Sequence, residues 1–319
     1  MVKLLIAIIK TARPRQWIKN LAIFAALVFT GDLADPDLFK KTLLGFLLLS
    51  ILVSSVYFLN DVSDIKSDKL HPFKKYRPIA KEDLSIHTAI ILAIAGIAIS
   101  LVGANLLSNF FFLALLAYFT LQVAYTLKLK ELVIVDILAI ATGFILRIYA
   151  GAFLIDAHLS VWFLLCVVSV SLFLAAGKRR AELTLLHETV AAKHRKTLSL
   201  YSPSLLDSYL AMFATASWLS WALFTFFLER DRDFYISRAV SPTLLEDLPL
   251  TILGSGKLLM VTIPIVIFGV MRYLHIVYEG ARAETPERVI VSDKPLLTAA
   301  FLWGVLILFI IYRLNYQSF

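Results

Sequence analysis

Between Asn60 and Ala80 the chain reads NDVSDIKSDKLHPFKKYRPIA, and its acids Asp61, Asp64 and Asp68 are spaced three and then four residues apart. On a helix this spacing stacks the carboxylates on one face with Asn60 beside them, an arrangement that is repulsive by itself. A hard cation among the oxygens relieves the repulsion. Mg²⁺, which keeps several waters and takes one or two carboxylates, commonly bridges such a group to a phosphorylated substrate. Directly downstream lie His71, Lys74, Lys75 and Arg77, donors suited to the phosphate oxygens that a metal leaves uncovered. Asn60, Asp61, Asp64 and Asp68 are therefore candidate metal ligands, the three acids candidate catalytic residues, and Lys74 and Arg77 candidate ligands of a diphosphate. A solvated, charged loop between two membrane helices is the plainer reading of the same charges. The regular acid spacing at the end of an apolar stretch favours the metal site.

The elements that must position these residues are membrane helices. Of the 319 residues 60% are hydrophobic and 17% charged, with a mean hydropathy of +0.81, which excludes an ordinary soluble enzyme and points to an all-α polytopic membrane protein. A spanning helix needs about 20 mostly apolar residues. That length predicts nine, over 14–31, 40–59, 86–104, 109–126, 132–154, 159–176, 209–228, 258–277 and 295–314. The first is the weakest, because its apolar run from Leu21 to Phe29 is too short to span. Starting the helix at Pro14, with Arg15, Gln16, Lys19 and Asn20 as a polar entry turn, restores the length and suits a helix that also lines a site. Residues 1–12 read as an interfacial amphipathic helix that stays on, since Lys10 and Arg13 stand where a signal peptide would carry its small-residue cleavage site.

Most of the lysines and arginines fall at the end of the spans that holds the acidic motif. That end is expected in the cytoplasm, with the N-terminus inside and the C-terminus outside. A single membrane domain over 1–319 is expected, with a cytoplasmic cap segment at 177–208 and an outer loop at 229–257. The formal net charge of +8 sits at the lipid boundary, so anionic lipid and phosphorylated substrates are the expected partners, and no nucleic acid. Cys166 is the single cysteine, which leaves neither a disulfide nor a cysteine metal site, and His71, His187, His194 and His275 lack zinc-ligand spacing.

Further polar residues mark the helix ends. Tyr125, Lys128 and Lys130 stand where the fourth predicted span leaves the membrane; they suit a phosphate, and equally an aromatic anchor with snorkelling lysines. Asp136 enters an apolar run in which Gly143 and Arg147 follow at seven and four residues, on one helical face. Arg147 is either functional, as intramembrane arginines generally are, or snorkels to the outer surface near Asp156. Gly177-Lys178-Arg179-Arg180-Ala181-Glu182-Leu183 follows the sixth span, where a glycine would let a phosphate approach the backbone and the cations meet it; a positive-inside stop sequence is the alternative. Beyond it Leu183, Leu186 and Val190 have the spacing of an amphipathic helix over the cytoplasmic mouth.

The N-D-x-x-D-x-x-x-D motif, the K-x-R-P-I at Lys75–Ile79 and the Tyr125 to Lys130 pair resemble the UbiA superfamily of intramembrane prenyltransferases. That resemblance implies nine helices around a central cavity, with Mg²⁺ holding a diphosphate at its cytoplasmic end. One branch is more similar still, the decaprenyl-phosphate phosphoribosyltransferases, through R-P-R-Q-W-I-K-N at 13–20, D-x-x-H-P-x-K-x-x-R-P-I-A at 68–80, Y-x-L-x-L-K at 125–130, the D-I…G-F-x-L-R-x-x-A-G of 136–151, G-K-R-R-A-E-L at 177–183 and the Tyr201 to Pro203 triplet. Lys69 departs from the arginine expected there. This branch implies phosphoribosyl diphosphate as donor, a polyprenyl phosphate as acceptor and Mg²⁺ as cofactor. Arg13, Arg15, Lys19, Asn20, Lys74, Arg77, Tyr125, Lys130, Asp136, Arg147, Lys178, Arg179 and Glu182 become candidate substrate ligands. Three anionic groups must then be held at one membrane face, which accounts for the density of cations better than a single diphosphate does. An aromatic prenyltransferase of the same fold and a cation-binding transporter are the competing functions, and a homo-oligomer is left open.

Overall fold

The computed structural model describes residues 2–70, 74–188, 200–228, 257–279, 289 and 292–313, and the regular structure among them is helical throughout. Long apolar runs without alternation dictate this, because in lipid each backbone N–H and C=O must be satisfied within its own segment. Among the described residues eight helices are long and apolar enough to cross a membrane. They are α3 (Pro36–Ser63), α5 (Ile86–Leu107), α6 (Asn109–Leu127), α7 (Val135–Leu154), α8 (Val161–Glu188), α9 (Pro203–Phe227), α10 (Ile263–Tyr278, led in by a 3₁₀ turn at Leu258–Thr262) and α11 (Lys294–Leu308). The short helices α1 (Val2–Ala12), α2 (Ala25–Thr30) and α4 (Ile65–Leu70) complete the set. Side-chain oxygens fix many of the starts: Asp35, Ser85, Ser108, Ser202 and Asp293 each accept a backbone N–H of the first turn that follows.

The segment expected as a first spanning helix takes another form. Pro14–Phe24 is a 3₁₀ helix, α2 follows it, and Gly31 ends α2 in the left-handed region at φ 89°. The winding suits the side chains: Trp17, Asn20 and Ile23 all point at α3, and a three-residue period stacks them in line.

The chain divides into two compact units, residues 1–130 with 143–158 and residues 131–142 with 159–319. In the first, α3 is central, and α5, α1 and the 3₁₀ helix pack on it. Small residues permit close approach, as membrane helix packing requires. A Cβ at Gly96 would lie 2.2 Å from Ser55 Oγ, and one at Gly151 would lie 1.8 Å from the Ile23 carbonyl oxygen. Ile23, Leu49, Leu52, Phe111, Leu115 and Leu154 form the buried centre.

In the second unit α8 and α9 pack along their length, and Phe173, Leu210, Tyr273, Val277 and Leu296 join them to α10 and α11. Here α8 continues through Gly177–Leu183, so the basic stretch lies within the helix instead of following it. Pairs at helical spacing allow this, with Lys178 Nζ 4.0 Å from Glu182 and Arg180 Nη1 donating to Thr184 Oγ1 at 2.5 Å. Gly177 has a packing reason to be glycine: a Cβ there would stand 2.7 Å from the ring and hydroxyl of Tyr273. His71, the 189–199 part of the cap segment with Val190 and His194, the loop 229–256, and the side chains of Leu186 and His187 lie outside the described residues.

Candidate active site

The acidic motif straddles a helix end. α3 runs through Asp61 to Ser63, Asp64 is its C-cap with its N–H on the Asn60 carbonyl at 2.9 Å, and α4 restarts the helix and carries Asp68. The single helical face expected for the three acids is thus broken at Asp64, whose side chain is half-buried. Asp61 and Asp68, both buried, converge instead on one group from outside the helix. Arg77 Nη1 donates to Asp61 Oδ1 at 3.0 Å and to Asp68 Oδ2 at 2.8 Å, and Arg13 Nη2 donates to the same Asp61 oxygen at 2.5 Å. Asn60 Oδ1 accepts from Thr126 Oγ1 at 2.9 Å, which ties the head of the motif to α6. No three acidic, imidazole or thiol groups among the described residues are gathered around one point as a ready-made metal site. The donor set still fits a hard divalent cation, since two anionic oxygens already surround a cationic nitrogen.

Arg77 is held by a folded turn. Its N–H bonds the Lys74 carbonyl and its carbonyl accepts from Lys81 N, while Ile79 and Leu84 are buried against Phe58 and Ala89. Lys74 is exposed at the entry to that turn. Arg13, between α1 and the 3₁₀ helix, adopts φ 52° and ψ 58°, a left-handed conformation that costs roughly 1–2 kcal/mol outside glycine. The following Pro14 disfavours the ordinary helical alternative. The guanidinium lies 4.7 Å from the centre of the Tyr57 ring.

The three-residue period sorts the R-P-R-Q-W-I-K-N stretch into three rows. Gln16 and Lys19 form one, and Arg13, ahead of the winding, joins it over the Tyr57 ring: Gln16 Oε1 accepts from Tyr57 Oη at 2.7 Å and from Lys19 Nζ at 3.4 Å. Trp17, Asn20 and Ile23 form the second. Trp17 Nε1 donates to Ser54 Oγ at 3.0 Å, and Asn20 Nδ2 to Ser50 Oγ at 3.1 Å. Ser54 Oγ in turn donates to the Ala12 carbonyl. Arg15, Ile18 and Leu21 form the third row and are exposed. Arg15 and Lys19, neighbours on an α-helix, therefore face different ways.

Arg147 does not snorkel. It is 6% exposed, and its three nitrogens donate to Asn20 Oδ1 at 3.0 Å, the Gly143 carbonyl at 2.7 Å and Tyr118 Oη at 2.7 Å. An amide, a peptide carbonyl and a phenol replace a carboxylate partner, and the Tyr118 and Phe144 rings lie within cation–π range.

In the second unit Asp136, Arg179, Glu182 and Tyr201 form a buried cluster of their own. Arg179 Nε lies 2.5 Å from Asp136 Oδ2, Arg179 Nη1 contacts Glu182, and Tyr201 Oη donates to Asp136 Oδ1 at 2.7 Å while accepting from Ile134 N at 2.6 Å. Burial, followed by the bond to Asp136, pushes the Tyr201 phenol above its ordinary value, so it remains a donor. Arg180 Nε pairs with Asp207 at 2.6 Å. Tyr125 and Lys130, on the first unit, are half-buried.

Residues 21–228 match the model of the UbiA prenyltransferase family. The chain belongs to that family. Among curated proteins it is similar to the decaprenyl-phosphate phosphoribosyltransferase of Corynebacterium glutamicum, 33% identical over 310 residues, covering 95% of this chain and 86% of that one. It is also similar to the protein of that name from Mycolicibacterium smegmatis, 34% identical over 305 residues, 93% and 89% of the two. A solved UbiA homolog from Archaeoglobus fulgidus bound to GPP and Mg²⁺ shares the fold with a TM-score of 0.64, 17% identity and 98% coverage of each chain. The UbiA match begins after the R-P-R-Q-W-I-K-N stretch, yet Arg13 in that stretch bonds Asp61 inside it. Tyr57, Gln16 and Thr126 join the acidic site without standing out as ligands in the sequence. Their signal is faint, because a polar residue in a helix acquires meaning only from what it faces.

Proposed function

We propose that this UbiA-family membrane protein transfers 5-phosphoribose from phosphoribosyl diphosphate to a polyprenyl phosphate. The bond from ribose C1 to the diphosphate breaks, its electron pair leaves with the diphosphate, and a lipid phosphate oxygen bonds C1. The observation that carries this reading is one-third identity over nearly the whole chain to relatives named for that activity. Asp61 and Asp68, with Asn60 and Asp64 adjoining, would hold Mg²⁺, which when bound neutralises charge on the departing diphosphate. Arg77 and Arg13 bind and orient that diphosphate, and Lys74, Lys130 and Lys178 are assigned to phosphate oxygens. The acceptor oxygen is already anionic at neutral pH, so it requires positioning more than a general base. The reading places the acidic site on the cytoplasmic side of the cell membrane, with the N-terminus inside and the C-terminus outside.

The row that carries Lys19 also carries Arg13 and faces Tyr57, whereas Arg15 shares its row with exposed Ile18 and Leu21. Lys19 is accordingly assigned to the donor, and Arg15 to the phosphate of the lipid. Lys19→Ala is expected to raise KM for phosphoribosyl diphosphate about tenfold, the effect of losing one charge-assisted bond, and Arg15→Ala to raise KM for the polyprenyl phosphate instead. Equal effects of both changes on both substrates would remove the assignment.

Purified protein in detergent with Mg²⁺ is expected to move radiolabel from phosphoribosyl diphosphate into a polyprenyl phosphate that extracts into organic solvent. It should leave 4-hydroxybenzoate unprenylated when given prenyl diphosphate. Prenylation of the aromatic acid, with the lipid phosphate unlabelled, would overturn the phosphoribosyl reading and leave the fold standing.

A further inference from the structure

We infer that Arg77 makes the acidic site selective for a divalent cation that already carries a diphosphate, and closes it to the free cation. The inference deepens the proposed function and rests on it for the presence of a diphosphate donor. Its basis is the way the two buried acids are already matched. The side chains of Asp61 and Asp68 are 2% and 3% exposed, and Arg77 Nη1 lies between them at 3.0 and 2.8 Å, where it satisfies one oxygen of each. Arg13 adds a second guanidinium on Asp61 at 2.5 Å. Two carboxylates thus meet two arginines, and this core of the site is neutral.

A divalent cation arriving alone meets a guanidinium nitrogen lodged between the two carboxylates, and to sit between them it has to push Arg77 aside. Its charge then adds to buried acids that the arginines already match, and the released guanidinium gives up both of its carboxylates. Both effects oppose entry, and the low local dielectric enlarges them. Arriving on a diphosphate, the same cation brings its own negative charge. The released Arg77 then finds phosphate oxygens, which its planar fork takes in pairs. The exchange needs only a side-chain rotation. Backbone bonds to Lys74 and Lys81 and the burial of Ile79 hold the turn in place, while the Arg77 side chain is 25% exposed and so stands at the mouth of the cluster. Arg13 is held differently, by its left-handed backbone and the Tyr57 ring, and is the partner expected to stay on Asp61.

The test is protein-bound Mn²⁺ measured by equilibrium dialysis of the full chain in nanodiscs, with and without methylenediphosphonate. Wild-type protein should bind Mn²⁺ at least tenfold more tightly when the diphosphonate is present. Arg77→Gln should bind Mn²⁺ alone at least tenfold more tightly than wild type, and lose most of the gain from the diphosphonate. Arg77→Lys gives a second reading that does not depend on the glutamine variant folding. A lysine carries its charge on a shorter, more flexible stem that the turn does not hold between the two acids, so its affinity for Mn²⁺ alone should also rise. Equal wild-type affinity with and without the diphosphonate overturns the inference, as does metal-alone affinity that is unchanged or weakened in both variants. Absence of bound Mn²⁺ in every protein under both conditions would sink the metal–diphosphate reading itself, and the selectivity with it.

Discussion

Asp68→Asn is expected to lower kcat about 10³-fold at saturating Mg²⁺, the effect of losing several kcal/mol of transition-state stabilisation at a metal ligand. The variant should fold, because Arg77 keeps its second carboxylate on Asp61. Asp61→Asn is the less clean experiment: Arg13 and Arg77 both bond the same Asp61 oxygen, and the change leaves two guanidinium groups against a neutral amide. Steady-state turnover of Asp68→Asn, beside a melting curve of the same preparation, separates lost chemistry from lost fold. Turnover near the wild-type rate would remove Asp68 from the metal site.

The largest effect on stability is expected at Arg179. Its side chain and that of Asp136 are each 1% exposed, and with Glu182 and the Tyr201 hydroxyl they hold the start of α7, α8 and the approach to α9 together. Removing one member of a buried ion pair strands the other, at a cost of about 3–5 kcal/mol. Arg179→Ala should therefore unfold at a distinctly lower temperature in detergent and give less monodisperse protein. Replacing the pair together, Arg179→Met with Asp136→Leu, should recover part of the loss, since apolar groups of similar volume often substitute for a buried pair. An unchanged melting temperature for Arg179→Ala would show that the cluster does not hold these helices. Under this account Asp136, Arg179 and Glu182 position α8, and with it Lys178.

Much of the acidic site is legible in the amino-acid sequence, and the limits of that legibility have physical causes. The acids and Arg77 announce themselves through charge and spacing, and their association follows from electrostatics alone. The break at Asp64 does not, because two abutting helices and one continuous helix share a periodicity. Arg147 is recognisably unusual within an apolar run, but whether it turns outward or inward depends on Asn20 and Tyr118, far away along the chain. The role of Tyr201 is hidden for a related reason, since its triplet does not name a partner and Asp136 lies far back along the chain on α7. The 3₁₀ winding of Pro14–Phe24 escapes the sequence because runs of that geometry longer than three or four residues are uncommon, which gives the α-helical reading the higher prior. Gly177 suggests a phosphate through its neighbours' charge, whereas Tyr273, almost a hundred residues later, is what excludes a side chain there.

The threefold winding of Pro14–Phe24 has a consequence for how this stretch can vary in evolution. A substitution in it disturbs one row. The loss of a single residue at position 15 would turn every later side chain by about 120° relative to α3, carrying Ile18 and Leu21 to the places where Trp17 and Asn20 now meet Ser54 and Ser50. Arg147 would then face a leucine in place of the amide that accepts its Nε–H. The length of this stretch, counted from the left-handed turn at Arg13 to the close passage of Ile23 over Gly151, is therefore expected to be guarded more strictly than most of the residues within it.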